Sequence, residues 1–416
     1  MSAVPSPAPR SGGPLGPVPG RSFGEALRAA AGTAALSPSS HNCQPWAVAV
    51  AAGPAARRAA ARLLGDGGDG GDDSGNGGTG TGGEEHRYLV LALDRARQLD
   101  ALPAHAAEML VSCGLYWRLL LRALAARGWT ADRVRFTGGT GNSGGPGGFG
   151  PAWPESWSAP LCVVRLRPGA PAEDPAALHA TALARRTNRA PYRTGEIDPA
   201  VLEELLAPAG DATGDTAGAG VVVRHIGDAR VRARFAALVA RHGGRDFSHG
   251  PAWRETHSFL RRNHADARAH GDGFALDQLF GPLSRLRRLA LRAALAPATM
   301  GVLCLAGYHR LLARRLAATV RAAPVLVAMG LPAGEPGPGD LVRGGARLAD
   351  YWLRATEAGL ALHPVSVVLQ HDDPRRRVQS LLGLPGRPFL VARLGRPTTG
   401  FPPAPRRAAE AAFRTI

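Results

Sequence analysis

Apolar residues recur at helical spacing in some stretches of the chain and in short unbroken runs in others, and the two patterns alternate. Ser22 with Glu25 three residues later reads as a capping box, and Phe23, Leu27 and Ala30 follow on one helical face. Residues 46–52 and 88–93 read as strands. The most strongly patterned helix spans 103–127, with Met109, Cys113, Trp117, Leu120, Leu121 and Leu124 on one face and Gly128 as its stop. An apolar run at 161–166 closes this first series as a strand. A second series starts near Asp174, with helices at 178–186 and 201–206, a strand at 221–226 and a helix at 230–242. It continues with a strand at 325–329 and a helix at 346–358 stopped by Gly359. An apolar run at 365–369, a helix through Leu381 and a strand at 389–394 complete it. Strands alternating with dominant helices predict an α+β sandwich around a mixed central sheet.

The two series divide the chain into halves of similar element order, 21–168 and 174–416. With 54 Gly and 35 Pro in 416 residues, a good part of the chain is not core. Residues 1–20 are expected to be disordered, and 66–83 and 138–150 to be floppy insertions without apolar anchors. A further helical insertion occupies about 245–320. Every one of the 50 basic residues is arginine, and the formal charge is +17. Those arginines are scattered, aromatic residues make up only 6%, and no zinc-finger or RNP-like pattern occurs, so no nucleic-acid partner is expected. Cys43, Cys113, Cys162 and Cys304 are too widely spaced for a disulfide framework or a metal site. No signal-like leader and no apolar run long enough for a bilayer are present, so a cytoplasmic location is expected and membrane association is not.

Candidate chemistry concentrates in two places. Residues 37–46 form a stiff polar loop between a helix end and a strand start. Pro38 and Pro45 restrict its backbone while Ser39, Ser40, Asn42 and Gln44 offer hydrogen bonds to a planar polar ligand. Far downstream, Arg185, Arg186, Thr187 and Arg189 form a cluster suited to a phosphate, because guanidinium groups make bidentate bonds to phosphate oxygens.

The loop, Pro38, Ser39, Asn42, Gln44, Pro45 and Trp46, closely resembles the flavin-binding loop of the nitroreductase superfamily. Its His41 before Asn42 is similar to the Acg branch. Arg185 to Arg189 resembles the motif with which that superfamily holds the FMN phosphate. Arg406 and Arg407 resemble its C-terminal basic pair, and Pro364, Val365 and Ser366 the segment passing the flavin ring. The resemblance implies an FMN-dependent oxidoreductase in which NADH or NADPH delivers a hydride that flavin N5 passes to a small-molecule acceptor. It assigns no side chain as a catalytic nucleophile. In ordinary members the flavin lies between two subunits, whereas here the loop and the arginine motif fall in different halves of one chain. The arrangement implied is a fused pseudo-dimer, monomeric, with one flavin site. A lid over the flavin would instead make a flavin-sequestering protein.

Within the insertion, Gln278 to Gly334 carries Arg285, Arg287, Arg288, Arg292, Arg310, Arg314, Arg315 and Arg321 without one acidic residue. Three readings stay open: a surface for anionic lipid or another partner, a lid over a pocket, or a solvated arginine face over a leucine core. Gly139 to Gly144 fits G-x-G-x-x-G but is not followed by a helix. His257, His264 and His371 lack metal-site spacing.

Overall fold

A computed structural model describes residues 22–65, 86–138, 148–208, 220–332 and 334–416. The expected disordered segment 1–20, the insertion at 66–83, most of that at 138–150 and the Gly139–Gly144 motif lie outside the described residues. The first half contains α1 (Phe23–Ala34), β1 (Trp46–Ala51), α2 (Pro54–Leu64), β2 (Arg87–Leu93), α3 (Pro103–Ala125), β3 (Trp129–Phe136) and β4 (Cys162–Pro168). The second opens with α4 (Pro175–Ala184), α5 (Pro199–Leu206), β5 (Val222–Ile226) and α6 (Ala229–His242). An excursion follows: α7 (Gly244–Ser248), α8 (Gly250–Ser258), β6 (Leu260–Arg261), α9 (His264–His270), β7 (Phe274–Ala275), α10 (Leu276–Phe280), α11 (Arg285–Leu295), α12 (Pro297–Leu305) and α13 (Tyr308–Arg321). The chain then completes β8 (Val325–Leu331), α14 (Pro338–Glu357), β9 (Ala361–Pro364), α15 (Asp372–Leu382), β10 (Arg387–Gly395) and β11 (Phe413–Thr415).

The α+β class is what forms, with the sheet distributed over the two halves. Of three sheets, the largest is mixed, with the order β11-β1-β2-β4-β3, the second is antiparallel, with the order β5-β8-β10-β9, and the third is the parallel pair β6-β7 of the excursion. The last strand crosses over: β11 pairs in parallel with β1, Val48 facing Phe413 and Val50 facing Thr415. Ser22 caps α1 as its spacing with Glu25 suggests, its backbone N–H donating to Glu25 at 3.1 Å.

The apolar run at 365–369 is not itself a strand, the strand being β9 just before it, and β6, β7 and β11 had no clear signal. Three further differences have a visible cause. β3 was not anticipated because two consecutive polar residues, Asp132 and Arg133, shift its apolar alternation by one position. It is an edge strand, bulged between Ala131 and Arg133 and tied to β4 where Arg165 Nε donates to Asp132 at 3.0 Å. α4 stops at Ala184 rather than continuing to residue 186, since Arg185 turns to extended backbone (φ −56, ψ 131). That turn lets Thr187 bridge Leu362 and the Asn188 N–H donate to the Leu362 carbonyl at 3.0 Å. α14 starts at Pro338, eight residues before the apolar face becomes visible, because Gly344 and Gly345 blank the pattern there.

Gly344 makes room for the Phe389 ring of β10, and Gly345 marks a close contact between the halves, where α3 crosses α14. A Cβ on Gly114 would run into the Val342 carbonyl, and one on Gly345 would meet the Val111 carbonyl and lie 2.9 Å from the Gly114 Cα. Beside this crossing, Asp350 on α14 accepts from Arg118 at 2.9 Å and from Arg122 at 3.1 Å, both on α3. Asp350 and Arg118 are almost fully buried, so losing one partner would strand a charge in the interior. Gly345→Ala and Gly114→Ala test the crossing. Alanine favours a helix by about 1 kcal/mol over glycine. Overpacking costs roughly 1–3 kcal/mol or more, so both variants are expected to lower the denaturation midpoint. An unchanged or raised midpoint would refute the close packing.

Candidate functional site

The polar loop enters the interior between the halves. His41, Asn42 and Gln44 have φ of 50, 55 and 54, left-handed values that cost energy in residues other than glycine. Local bonds hold them: the Gln44 N–H donates to Ser39 Oγ at 2.9 Å, and the Asn42 N–H to the Ser39 carbonyl at 3.1 Å. The second half then clamps the loop. Asn42 Nδ2 donates to the Gly273 carbonyl at 3.1 Å and the Pro405 carbonyl at 2.9 Å, and its Oδ1 accepts from Arg406. Gln44 donates to the Gly271 carbonyl at 2.7 Å and accepts from the Arg407 N–H at 3.1 Å.

Beside the loop lies a cavity of about 440 Å³, within the size range of cofactor pockets. Pro38, Ser39, Ser40 and Asn42 line it from the first half. Arg185, Arg186, Thr187, Arg189, Pro364, Val365, Ser366 and Arg406 line it from the second. The adjacency of the arginine motif to Pro364–Ser366 follows from the pairing of residues 187 and 188 with β9. Two residues of the candidate set do not reach the wall. Gln44 spends its amide on the clamp, and Arg407 donates to the Trp46 carbonyl at 3.4 Å.

The electrostatics of the wall are one-sided. Arg185 is buried with its guanidinium 4.8 Å above the Trp352 ring, while Arg186 and Arg406 are half-buried. No carboxylate pairs with these three among the described residues, and Arg185 Nε and Nη1 and Arg406 Nε have no hydrogen-bond partner. Burial lowers the Arg185 pKa, and the charges of Arg406 and Arg186 lower it further. Arg406 is pushed down to about 10 by burial and by Arg186. Clustered buried cations without an anion are costly, so the arrangement favours an anionic group among them.

A polar chain that sequence reasoning did not single out runs along the opposite wall. Gln370 donates to Glu108 Oε1 at 2.6 Å, and Ser40 Oγ donates to Glu108 Oε2 at 2.6 Å. Ser40 Oγ lies 3.1 Å from His41 Nδ1, whose Nε2 is 3.1 Å from Thr256 Oγ1. Burial raises the Glu108 pKa and pushes that of His41 down to about 4, with His105 and Arg189 adding to the latter. The one available signal was that Glu108 is the sole acidic residue of α3. Phe274 and Gln278, from the excursion, also line the cavity and had no local motif. Cys43, within the loop, is buried with its thiol raised to about 12, as an inert cysteine would be.

The chain is 29% identical over 386 residues to the probable NAD(P)H nitroreductase PigM of a Serratia species, covering 93% of this chain and 92% of that protein. The similarity to that nitroreductase runs over nearly the whole of both chains. No family model matches the chain. Solved nitroreductase structures overlap it in part. FMN-dependent nitroreductase NfnB from Mycobacterium smegmatis aligns at 15% identity and TM-score 0.32, over 54% of this chain and 88% of that one. Nitroreductase A from Vibrio parahaemolyticus aligns at 14% identity and TM-score 0.29, over 53% and 67%.

Glu108 offers a test of the wall. A carboxyl whose folded pKa is raised by burial stabilises the fold most below the ordinary carboxyl range. It loses that contribution as pH rises through the raised value. Glu108→Gln keeps the shape and can hold both Ser40 and Gln370. Its melting temperature relative to the wild type is therefore expected to rise between about pH 4 and pH 8; a difference constant with pH would refute the assignment.

Proposed function

We propose that the chain is an FMN-dependent NAD(P)H oxidoreductase whose single flavin lies in the cavity between its halves. The observation that carries this reading is the cluster of Arg185, Arg186 and Arg406, buried or half-buried, without an acidic partner, and lining the same cavity as the Ser39–Asn42 loop. In this reading the phosphate meets those guanidinium groups and Thr187. Ser39 and Ser40 lie toward the polar edge of the ring, and Pro364, Val365 and Ser366 run along it. Gln44 and Arg407 act one step back, by fixing the loop and the C-terminal segment. FMN when bound supplies the acceptance of a hydride at N5 and its onward transfer to an acceptor.

The residues of the chain do the positioning. Phe274, Phe247 and Leu260 close the cavity with apolar surface and limit water. Protonation of Glu108 at Oε2 would reverse its bond with Ser40, whose Oγ would then accept from Glu108 and donate to His41 Nδ1, so a proton can be exchanged at the wall. The acceptor is a small molecule, a nitro compound, a quinone or a biosynthetic intermediate. One observation favours a second reading: those residues of the excursion roof the cavity, which would suit a flavin-sequestering protein.

Purified protein is expected to carry close to one FMN per chain; a value near two would defeat the single-site pseudo-dimer. Arg185→Ala should weaken FMN retention about tenfold or more, the scale of one lost charge-assisted contact. Rapid mixing with NADPH should bleach the bound flavin, and no bleaching within minutes would leave the sequestering reading in its place.

A further inference from the structure

Seven large apolar side chains are well exposed among the described residues, and six of them, Phe280, Leu286, Leu289, Val302, Leu305 and Leu311, fall within one short stretch. Leu286 is 81% exposed and Leu305 is 90% exposed. Both α11 and α12 already bury an apolar face, since Leu295 and Met300 pack with Trp253 and Leu276. Their exposed apolar residues therefore form a second face. On α11, Leu286, Leu289 and Ala293 are spaced to share one side of the helix, and on α12 so are Ala298, Val302 and Leu305. Arg285, Arg287 and Arg292 are exposed around the α11 stripe. From residue 278 to residue 334 there is no acidic side chain, and among the described residues the nearest carboxylate partner is Asp277, 4.0 Å from Arg288.

We propose that the outer face of α11 and α12 docks the protein on an anionic lipid surface. A stripe of leucine and valine, flanked by arginine on α11 and by no acidic residue on either helix, matches a layer with phosphate groups above acyl chains. The arginine stems can lie along the apolar zone while their heads reach the phosphates. A second copy of the chain fits poorly, because a symmetric contact would bring two arginine-bordered faces together. A protein interface would be expected to offer aromatic anchors, which the two stripes lack. The helices lie on the surface instead of crossing it. They have 11 and 9 residues and meet at 78°, whereas a crossing helix needs about 20 continuous residues. Among the described residues no single helix is long and apolar enough to cross.

Flotation of the full chain with lipid vesicles tests this. It should float with phosphatidylcholine vesicles containing about 30% phosphatidylglycerol and stay behind with phosphatidylcholine alone. Raising NaCl from about 50 mM to about 500 mM should release it. Leu286→Glu with Leu289→Glu, both at exposed positions, should cut binding about tenfold or more, and Val302→Glu with Leu305→Glu likewise. FMN content and melting temperature should not change in these variants, which separates failure here from failure of the flavin assignment. No flotation with anionic vesicles at low salt would overturn the proposal, as would equal flotation of the leucine variants. Concentration-dependent dimers abolished by those variants would assign the face to a second copy and overturn it too.

Discussion

The approach of α3 to α14 at Gly114 and Gly345 sets the distance between the halves, and the cavity is built out from that contact. Toward its N-terminus, α3 carries Ser112 and Glu108 to the polar loop. Toward its C-terminus, α14 carries Trp352 beneath Arg185. With the helices held apart by even one methyl group, the loop wall and the arginine wall would separate, and the span between them would no longer match one ligand. The buried Asp350 with Arg118 and Arg122 then selects the register of the crossing, because sliding either helix would leave charges unpaired in the interior.

The cavity walls have opposite characters for a physical reason. Gathering Arg185, Arg186 and Arg406 raises the energy of the empty protein, and the cost can be offset only by something that carries negative charge. The other wall holds its polar groups in a continuous chain from Gln370 to Thr256 and needs no outside ion. A ligand with an anionic group among the arginines and neutral polar atoms toward the loop would satisfy both walls at once. The left-handed residues of the loop add to the same theme: their strain is tolerated because Asn42 and Gln44 are each held by three segments of chain.

Much of this was legible in the residues. The capping box at Ser22, the long α3 and most strands follow from period and punctuation, and the loop at 37–46 and Arg185–Arg189 stood out by order and composition. What escaped had one common cause, dependence on distant chain. α14 lost its first turns to the glycines that its packing against α3 and β10 requires. The end of α4 is decided by pairing with β9, not by a local stop. Glu108 looks like an ordinary surface residue of a helix until Ser40 and Gln370 arrive from 68 residues upstream and 262 residues downstream. Gln44 illustrates the reverse: its amide suits a ligand by type, but the backbone at Gly271 and Arg407 occupies it first.

The pairing of β11 with β1 has a consequence for how the protein folds. The outer edge of β1 is filled by Phe413–Thr415, a strand from far downstream in the sequence. Until that strand arrives the edge is open, and an open edge is a template for joining a neighbouring chain. The sheet of the first half is thus closed by a pairing of very long sequence separation, the kind of contact that folding makes slowly.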